Sequence, residues 1–169
     1  MRVLLLGFGN PGRQDDGLGP ACAETVERMG IPGVTTDQDY QLTVEDAVAI
    51  GEHDVVVFAD ADAVGTGPWS FRPVAPDPGL PWTSHGVEPG ALVALAAGLQ
   101  GRPVEAYMLG IRGYAFDELR EELTEEARRN LEAALRFLGP VLRGGSFRAA
   151  AGVPPREEEH PASAGEGAK

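Results

Sequence analysis

The sequence is poor in cysteine, since Cys22 is the single one among 169 residues. A lone thiol cannot form a disulfide within the chain, and it cannot build a cysteine metal cluster. Cys22 lies between Ala21 and Ala23 in a segment with helical patterning. We therefore expect its thiol to be packed in the interior and not to act as a nucleophile.

Long apolar runs and positive charge are also scarce. No apolar run approaches the roughly 20 residues needed to cross a bilayer, and the run at the N-terminus ends too early for a secretory signal. A cytoplasmic protein without membrane contact is expected. The 26 acidic against 14 basic residues give a formal net charge of −12. Such a surface repels a phosphate backbone unless basic residues are segregated, so nucleic-acid binding is not expected.

What the sequence does contain is a series of short apolar runs that suit β-strands. Three of them are mostly apolar, as in the buried strands of a parallel sheet. They cover residues 3–6, 54–60 and 106–111. Weaker candidates are 34–36 and 69–74, and the alternation in 69–74 is typical of an edge strand.

Helical spacing of apolar residues separates these runs. It covers residues 19–29, 43–50, 89–99 and a last helix that begins after Thr124, an N-cap followed by two glutamates. Gly139 and Pro140 should end or kink that helix, because proline lacks the amide donor.

This alternation predicts βαβ units, hence a three-layer α/β/α sandwich around a mostly parallel sheet of about five strands. One domain is expected over residues 1–143. From residue 144 to 169 the composition shifts to Gly, Ala, Pro and Glu, which predicts a disordered acidic tail.

The first strand runs into a glycine-rich segment, residues 7–19, that can be interpreted in more than one way. Gly7, Gly9 and Gly12 match the G-x-G-x-x-G dinucleotide fingerprint, which points helix amides at a pyrophosphate. Pro11 has no backbone N–H to donate, and the acidic pair at 15–16 brings negative charge to the position where the pyrophosphate would bind. A non-catalytic nucleotide- or metabolite-binding module remains the alternative function.

The same opening also resembles that of the peptidyl-tRNA hydrolases. That family continues with a segment that carries its catalytic histidine, whereas residues 13–24 contain no histidine. The net charge of −12 also suits tRNA badly. This second interpretation is disfavoured.

A third resemblance covers residues 2–142. A strand, then Gly-x-Gly-Asn, then an acidic pair and a helix, is similar to the hydrogenase maturation endopeptidases. Two later segments follow in that family's order. The run 58–61 reads Phe-Ala-Asp-Ala, and 84–86 reads Ser-His-Gly before a helix.

The resemblance implies that Asp16, Asp60 and His85 are the metal-binding and catalytic residues. It implies an endopeptidase that removes the C-terminal extension of a nickel–iron hydrogenase large-subunit precursor after nickel insertion. The ion would be nickel already bound to that substrate, with zinc or another divalent ion as a substitute. The precursor would be the partner of a monomeric enzyme.

The residues themselves are compatible with this chemistry. Asp16 follows the first strand and Asp60 ends another, and ligands of open parallel sheets bind at the carboxyl ends of strands. Two nearby carboxylates repel unless a cation lies between them, and an imidazole from His85 completes a donor set that zinc or nickel accepts. Taken singly, each residue also has an ordinary interpretation as a helix cap, a turn residue or a solvated side chain.

Neighbouring polar residues leave alternatives open. Asp15 is interpreted as a turn or cap residue, with a metal ligand as the alternative. Asp62 is interpreted as part of the loop after the strand, whereas in a strand that continued past Asp60 it would face the same side as Asp60. Arg112 follows a strand on the correct side, as a surface residue or as a partner for a substrate carboxylate. His53 precedes its strand at the opposite end, and His160 falls in the tail.

Overall fold

A computed structural model describes residues 1–79 and 86–152 of the chain. Within these ranges five strands form one sheet. They are β1 (Val3–Phe8), β2 (Val34–Asp39), β3 (Val55–Asp62), β4 (Trp69–Pro73) and β5 (Glu105–Arg112). Their order across the sheet is β2-β1-β3-β5-β4. All pairs are parallel except β4 with β5, which is antiparallel, so the predicted edge strand is confirmed.

The helices cover both faces of the sheet. They are α1 (Leu18–Met29), α2 (Asp46–Gly51), α3 (Pro89–Gln100), α4 (Glu125–Gly144) and α5 (Phe147–Ala150), with a short 3-10 helix at Gln14–Gly17 before α1. One apolar core joins the sheet to α1, α4 and α5, and a second joins it to α2 and α3. Within the described residues, no helix combines the length and apolar character that crossing a membrane requires.

Alternate side chains along a strand contribute to the two cores. In β1, Val3 and Leu5 belong to the α1/α4 core, whereas Leu4 and Leu6 belong to the α2/α3 core. Successive side chains of a strand point to opposite faces, so a strand between two helical layers must be apolar throughout. The predicted three-layer α/β/α sandwich is confirmed.

Helix α4 differs from its prediction at the C-terminal end. Thr124 is its N-cap and accepts the N–H of Ala127 at 3.2 Å. The helix does not end at Pro140, however, but continues to Gly144. Val141 and Leu142, beyond the proline, are buried in the α1/α4 core, and we attribute the continuation to this packing, which offsets the missing hydrogen bond.

The packed part of the chain also extends beyond the predicted boundary at residue 143. Phe147 is 1% exposed, and its ring lies 5.7 Å from that of Tyr107. Arg148, in the same short helix, forms an ion pair with Glu105. Phe147 and Ala150, both buried in the α1/α4 core, anchor this Gly/Ala-rich segment. Residues 153–169 lie outside the described residues, so the disorder predicted for them stays a prediction.

Candidate active site

Close backbone packing places the turn before α1 against the sheet. A Cβ atom at Gly19 would overlap the carbonyl oxygens of Phe8 and Ala59, and one at Gly7 would overlap the carbonyl oxygen of Gly19. Only glycine permits this approach. The first turn of α1 therefore lies directly on the carboxyl-terminal halves of β1 and β3, and the 3-10 helix with its two aspartates lies beside it.

Asp16 is held at the carboxyl end of β1. Its Oδ2 accepts the backbone N–H of Asn10 at 2.8 Å, and the Asn10 side-chain Oδ1 accepts the N–H of Gly12 at 2.9 Å. Gly9 has φ +135°, and a Cβ there would overlap the carbonyl oxygen of Asp16. The loop between Gly9 and Gly12 thus supports the Asp16 carboxylate directly.

Asp60 lies near the carboxyl end of the neighbouring strand β3, on the face occupied by Phe58 and the α2/α3 core. Its Oδ1 accepts the N–H of Ala61 at 2.7 Å. The pKa of Asp60 is raised to about 7, mainly by burial and in addition by the charges of Asp16 and Asp62, although the hydrogen bond from Ala61 opposes the shift. A cation beside the two carboxylates would favour their charged forms, so this pair fits a divalent ion.

His85 lies outside the described residues, and its role as a third ligand stays a prediction. The chain is described again from Gly86, and the N–H of Val87 donates to the carbonyl oxygen of Leu42 at 3.3 Å. Leu42 follows the carboxyl end of β2. Val87 therefore lies near the carboxyl ends of the parallel strands, where Asp16 and Asp60 also lie. Among the described residues no group of three His, Cys, Asp or Glu side chains could hold a metal.

Asp62 and Arg112 have structural partners. The prediction that the strand ends at Asp60 and that Asp62 lies in the following loop is wrong, because β3 continues to Asp62 through its pairing with β5. Asp62 Oδ1 accepts the N–H groups of Val64 and Gly65 at 3.0 and 2.9 Å, which stabilises the turn after β3. Arg112 lies opposite Asp62 in the sheet. Its Nη1 donates to the carbonyl oxygens of Asp62 and Gly113, and its guanidinium lies 4.8 Å from the Tyr114 ring centre.

Asp15 is the residue whose importance the sequence interpretation underestimated. It is fully buried, and its carboxylate accepts hydrogen bonds from Tyr114, Ala115 and Thr124. Burial raises its pKa, but these hydrogen bonds outweigh burial and hold the pKa below the ordinary value. Its partners are about a hundred positions away in the sequence, so no local pattern could have identified them.

The backbone of this loop is not arranged as a phosphate cradle. The N–H groups of Gly9 and Asn10 donate to Asp39 and Asp16, and that of Gly12 donates to the Asn10 side chain. The remaining N–H groups from 13 to 16 donate to backbone carbonyl oxygens, and Pro11 has no N–H. A pyrophosphate would find these donors occupied, which weighs against the alternative of a dinucleotide-binding module.

An open cleft of about 230 Å³ borders the same loop. Its lining residues are Gly9, Pro11, Pro20, Gln38, Asp39 and Tyr40. The cleft borders the carboxyl ends of β1 and β2, beside the loop whose Asn10 N–H donates to Asp16.

The raised pKa of Asp60 gives a direct check on this geometry. In the protein without metal, we expect carbon-13 NMR to show Asp60 ionising near pH 7. Asp16→Asn should lower that pKa without returning it to 3.8, because burial is the larger cause. Since the pKa of Asp60 is raised from 3.8 to about 7 in the folded state, its contribution to stability is fully present below pH 3.8 and is lost as the pH rises from 3.8 to about 7. An Asp60 pKa that Asp16→Asn leaves unchanged would contradict the proximity of the two carboxylates.

Comparison with known proteins identifies the fold. No protein-family model matches the chain, and no curated protein sequence matches it. The hydrogenase maturating endopeptidase HybD from Escherichia coli has 19% identity and a TM-score of 0.67, over 86% of this chain and 94% of that one. The NiFe hydrogenase maturation protease HycI from Thermococcus kodakarensis has 22% identity and a TM-score of 0.66, over 84% and 92% of the two chains.

The solution structure of the endopeptidase HycI from Escherichia coli matches in the same way. It has 24% identity and a TM-score of 0.65, over 94% of this chain and all of that one. These similarities extend over nearly the whole length of each relative, so they concern the complete sandwich and not one βαβ unit. The fold is therefore that of the hydrogenase maturation endopeptidases, as the resemblance of the sequence predicted.

Proposed function

We propose that the chain is an endopeptidase that removes the C-terminal extension of a nickel–iron hydrogenase large-subunit precursor after nickel insertion. Nickel held in the precursor is the ion that Asp16, Asp60 and His85 bind. The enzyme then recognises an ion carried by its substrate, and zinc or another divalent ion can substitute in binding experiments. We expect it to act in the cytoplasm as a monomer, because it must approach a large folded partner.

The observation that carries this proposal is the convergence of Asp16 and Asp60 at the carboxyl ends of adjacent strands. The two side chains come from distant parts of the chain, yet they lie close enough for the charge of Asp16 to raise the pKa of Asp60. Two carboxylates supply hard oxygen donors and leave coordination positions to other ligands. Such an incomplete donor set suits an ion that already has ligands in the substrate.

The two carboxylates would bind the ion and thereby hold the peptide segment of the substrate next to it at the carboxyl ends of β1 and β3. A divalent ion can polarise a peptide carbonyl or lower the pKa of a bound water, and either effect promotes hydrolysis. The loop from Gly9 to Gly12 contributes by orienting Asp16 through the Asn10 N–H. Cleavage then depends on the presence of nickel, which explains how immature precursor would be spared.

Thiol chemistry does not offer a competing mechanism in this chain. Cys22 is fully buried in α1, and burial raises the pKa of its thiol to about 12. A buried, protonated thiol neither attacks a peptide bond nor binds a metal. The expected interior packing of Cys22 is thus what the structure shows, and selectivity without broad protease activity is expected.

The proposal is tested by incubating the chain with nickel-loaded precursor and measuring the intact mass of the precursor over time. We expect a single shortening by the mass of the C-terminal extension. The same precursor without nickel is the control and should keep its full mass. If the nickel-loaded precursor also keeps its full mass, the proposed activity is wrong.

A further inference from the structure

Asp15 combines full burial with an unusual number of hydrogen bonds. In the part of the chain that the structure describes, it is the one buried polar or charged side chain. Its Oδ2 accepts the N–H groups of Tyr114 and Ala115 at 2.8 and 3.0 Å and the hydroxyl of Thr124 at 2.8 Å. Its Oδ1 accepts the N–H of Thr124 at 2.8 Å. The carboxylate thus accepts hydrogen bonds from both ends of the loop between β5 and α4.

The backbone on either side of Asp15 is joined to the same loop. The N–H of Asp15 donates to the carbonyl oxygen of Ala115 at 3.0 Å, and that of Gln14 donates to Arg120 at 2.8 Å. A Cβ at Gly113 would overlap the Cβ of Asp15, so the two segments are in direct contact. The position of the 3-10 helix is therefore fixed by hydrogen bonds and contacts with residues that are distant in the sequence.

The turn also has a conformation that its own sequence does not favour. Gln14 has φ +47°, in the left-handed region that residues other than glycine rarely adopt. Such a conformation persists only when surrounding contacts impose it. The contacts that do so here are those of Gln14 and Asp15 with the β5–α4 loop.

We propose that Asp15 is a positioning residue for Asp16. By anchoring the 3-10 helix to the loop between β5 and α4, its carboxylate fixes the backbone from which Asp16 projects. Asp16 is thereby held where its own carboxylate accepts the Asn10 N–H at the carboxyl end of β1. The catalytic consequence rests on the proposed function, whereas the positioning itself does not.

The Asn10 amide reports the position of Asp16 without any assay of activity. Asp15→Asn keeps the size of the side chain but turns one acceptor oxygen into a donor, which would face N–H or O–H groups of Thr124, Tyr114 or Ala115. We expect the Asn10 amide, followed by nitrogen-15 NMR, to exchange with solvent at least about tenfold faster in this variant. The turnover number for nickel-loaded precursor should fall, with a smaller change in KM.

Leu142→Ala is the matched control, because it removes a buried side chain at the far end of α4. It should lower stability yet leave Asn10 exchange and turnover per folded molecule close to wild type. Thr124→Ser keeps both the hydroxyl and the N–H that Asp15 accepts, and it should also leave Asn10 exchange unchanged. Thr124→Val removes the hydroxyl and should accelerate exchange of the Asn10 amide. This variant provides the test if Asp15→Asn does not fold.

Unchanged Asn10 exchange in folded Asp15→Asn or in Thr124→Val would overturn the positioning role. Equal acceleration in Leu142→Ala would overturn it too, because it would show a general loss of stability. If wild-type protein fails to cleave the precursor but the Asn10 results are as expected, the proposed function is wrong and the positioning role stands.

Discussion

Asp16→Asn and Asp60→Asn are each expected to slow cleavage of nickel-loaded precursor by about a hundredfold or more, a loss comparable to removal of a main electrostatic contact at an active site. Each substitution replaces a carboxylate proposed to bind the ion by a neutral amide, which binds a divalent cation less strongly. Local structure should survive both changes. The amide oxygen introduced by Asp16→Asn can still accept the Asn10 N–H, and that introduced by Asp60→Asn can still accept the N–H of Ala61.

The matched control is Asp54→Asn. Asp54 directly precedes β3, at the end of that strand opposite to Asp60. Asp54 is partly exposed and accepts the N–H of Arg2 at 2.7 Å, beside the amino end of β3. Its substitution removes one negative charge from the protein, as Asp16→Asn does, but leaves the candidate site unchanged. Intact-mass time courses should show near wild-type cleavage for Asp54→Asn. Wild-type rates for both Asp16→Asn and Asp60→Asn would contradict the assigned roles.

Gly19→Ala is expected to lower the free energy of unfolding by about 3 kcal/mol or more, as in severe overpacking of a core. The added methyl group would overlap the carbonyl oxygens of Phe8 and Ala59 and approach the N of Phe8 at 2.8 Å. These are backbone atoms of two central strands, so no side chain can rotate away to relieve the overlap. Helix α1 would have to move away from β1 and β3, and the Asp16 turn would move with it.

Gly98→Ala is the control for this prediction. Gly98 lies in the interior of α3, is exposed, and has no neighbouring atom within 4 Å of a built Cβ. Alanine is favoured over glycine in such a helix, so this variant should be about 0.5–1 kcal/mol more stable than wild type. Urea unfolding followed by circular dichroism measures both effects. A stability loss below about 1 kcal/mol for Gly19→Ala would contradict the close packing of α1 on the sheet.

The parts of the fold that depend on local pattern were predictable from the sequence. The apolar runs of β1, β3 and β5 identified the central strands, because a strand between two helical layers is buried on both faces. The same argument placed Asp16 in the turn after β1 and Asp60 near the carboxyl end of β3, although the strand continues past Asp60 to Asp62. Their convergence could be predicted because parallel strands place their carboxyl ends at one edge.

What the sequence could not provide depends on contacts between distant segments. The role of Asp15 requires knowing that the loop before Thr124 returns to the turn before α1, and no spacing rule indicates this. The continuation of α4 past Pro140 and the anchoring of Phe147 likewise depend on core packing, which overrides the local preference of proline and glycine. His85 as the third ligand stays a prediction from the resemblance.

In the proposed mechanism, Asp16 and Asp60 bind an ion carried by the substrate. The most direct test measures the affinity of wild type and of the Asp16→Asn/Asp60→Asn double variant for the precursor, with and without nickel. Wild type should bind the nickel-loaded precursor more tightly, and the double variant should bind both forms equally and weakly. A preference for the nickel-loaded form that persists undiminished in the double variant would contradict the claim.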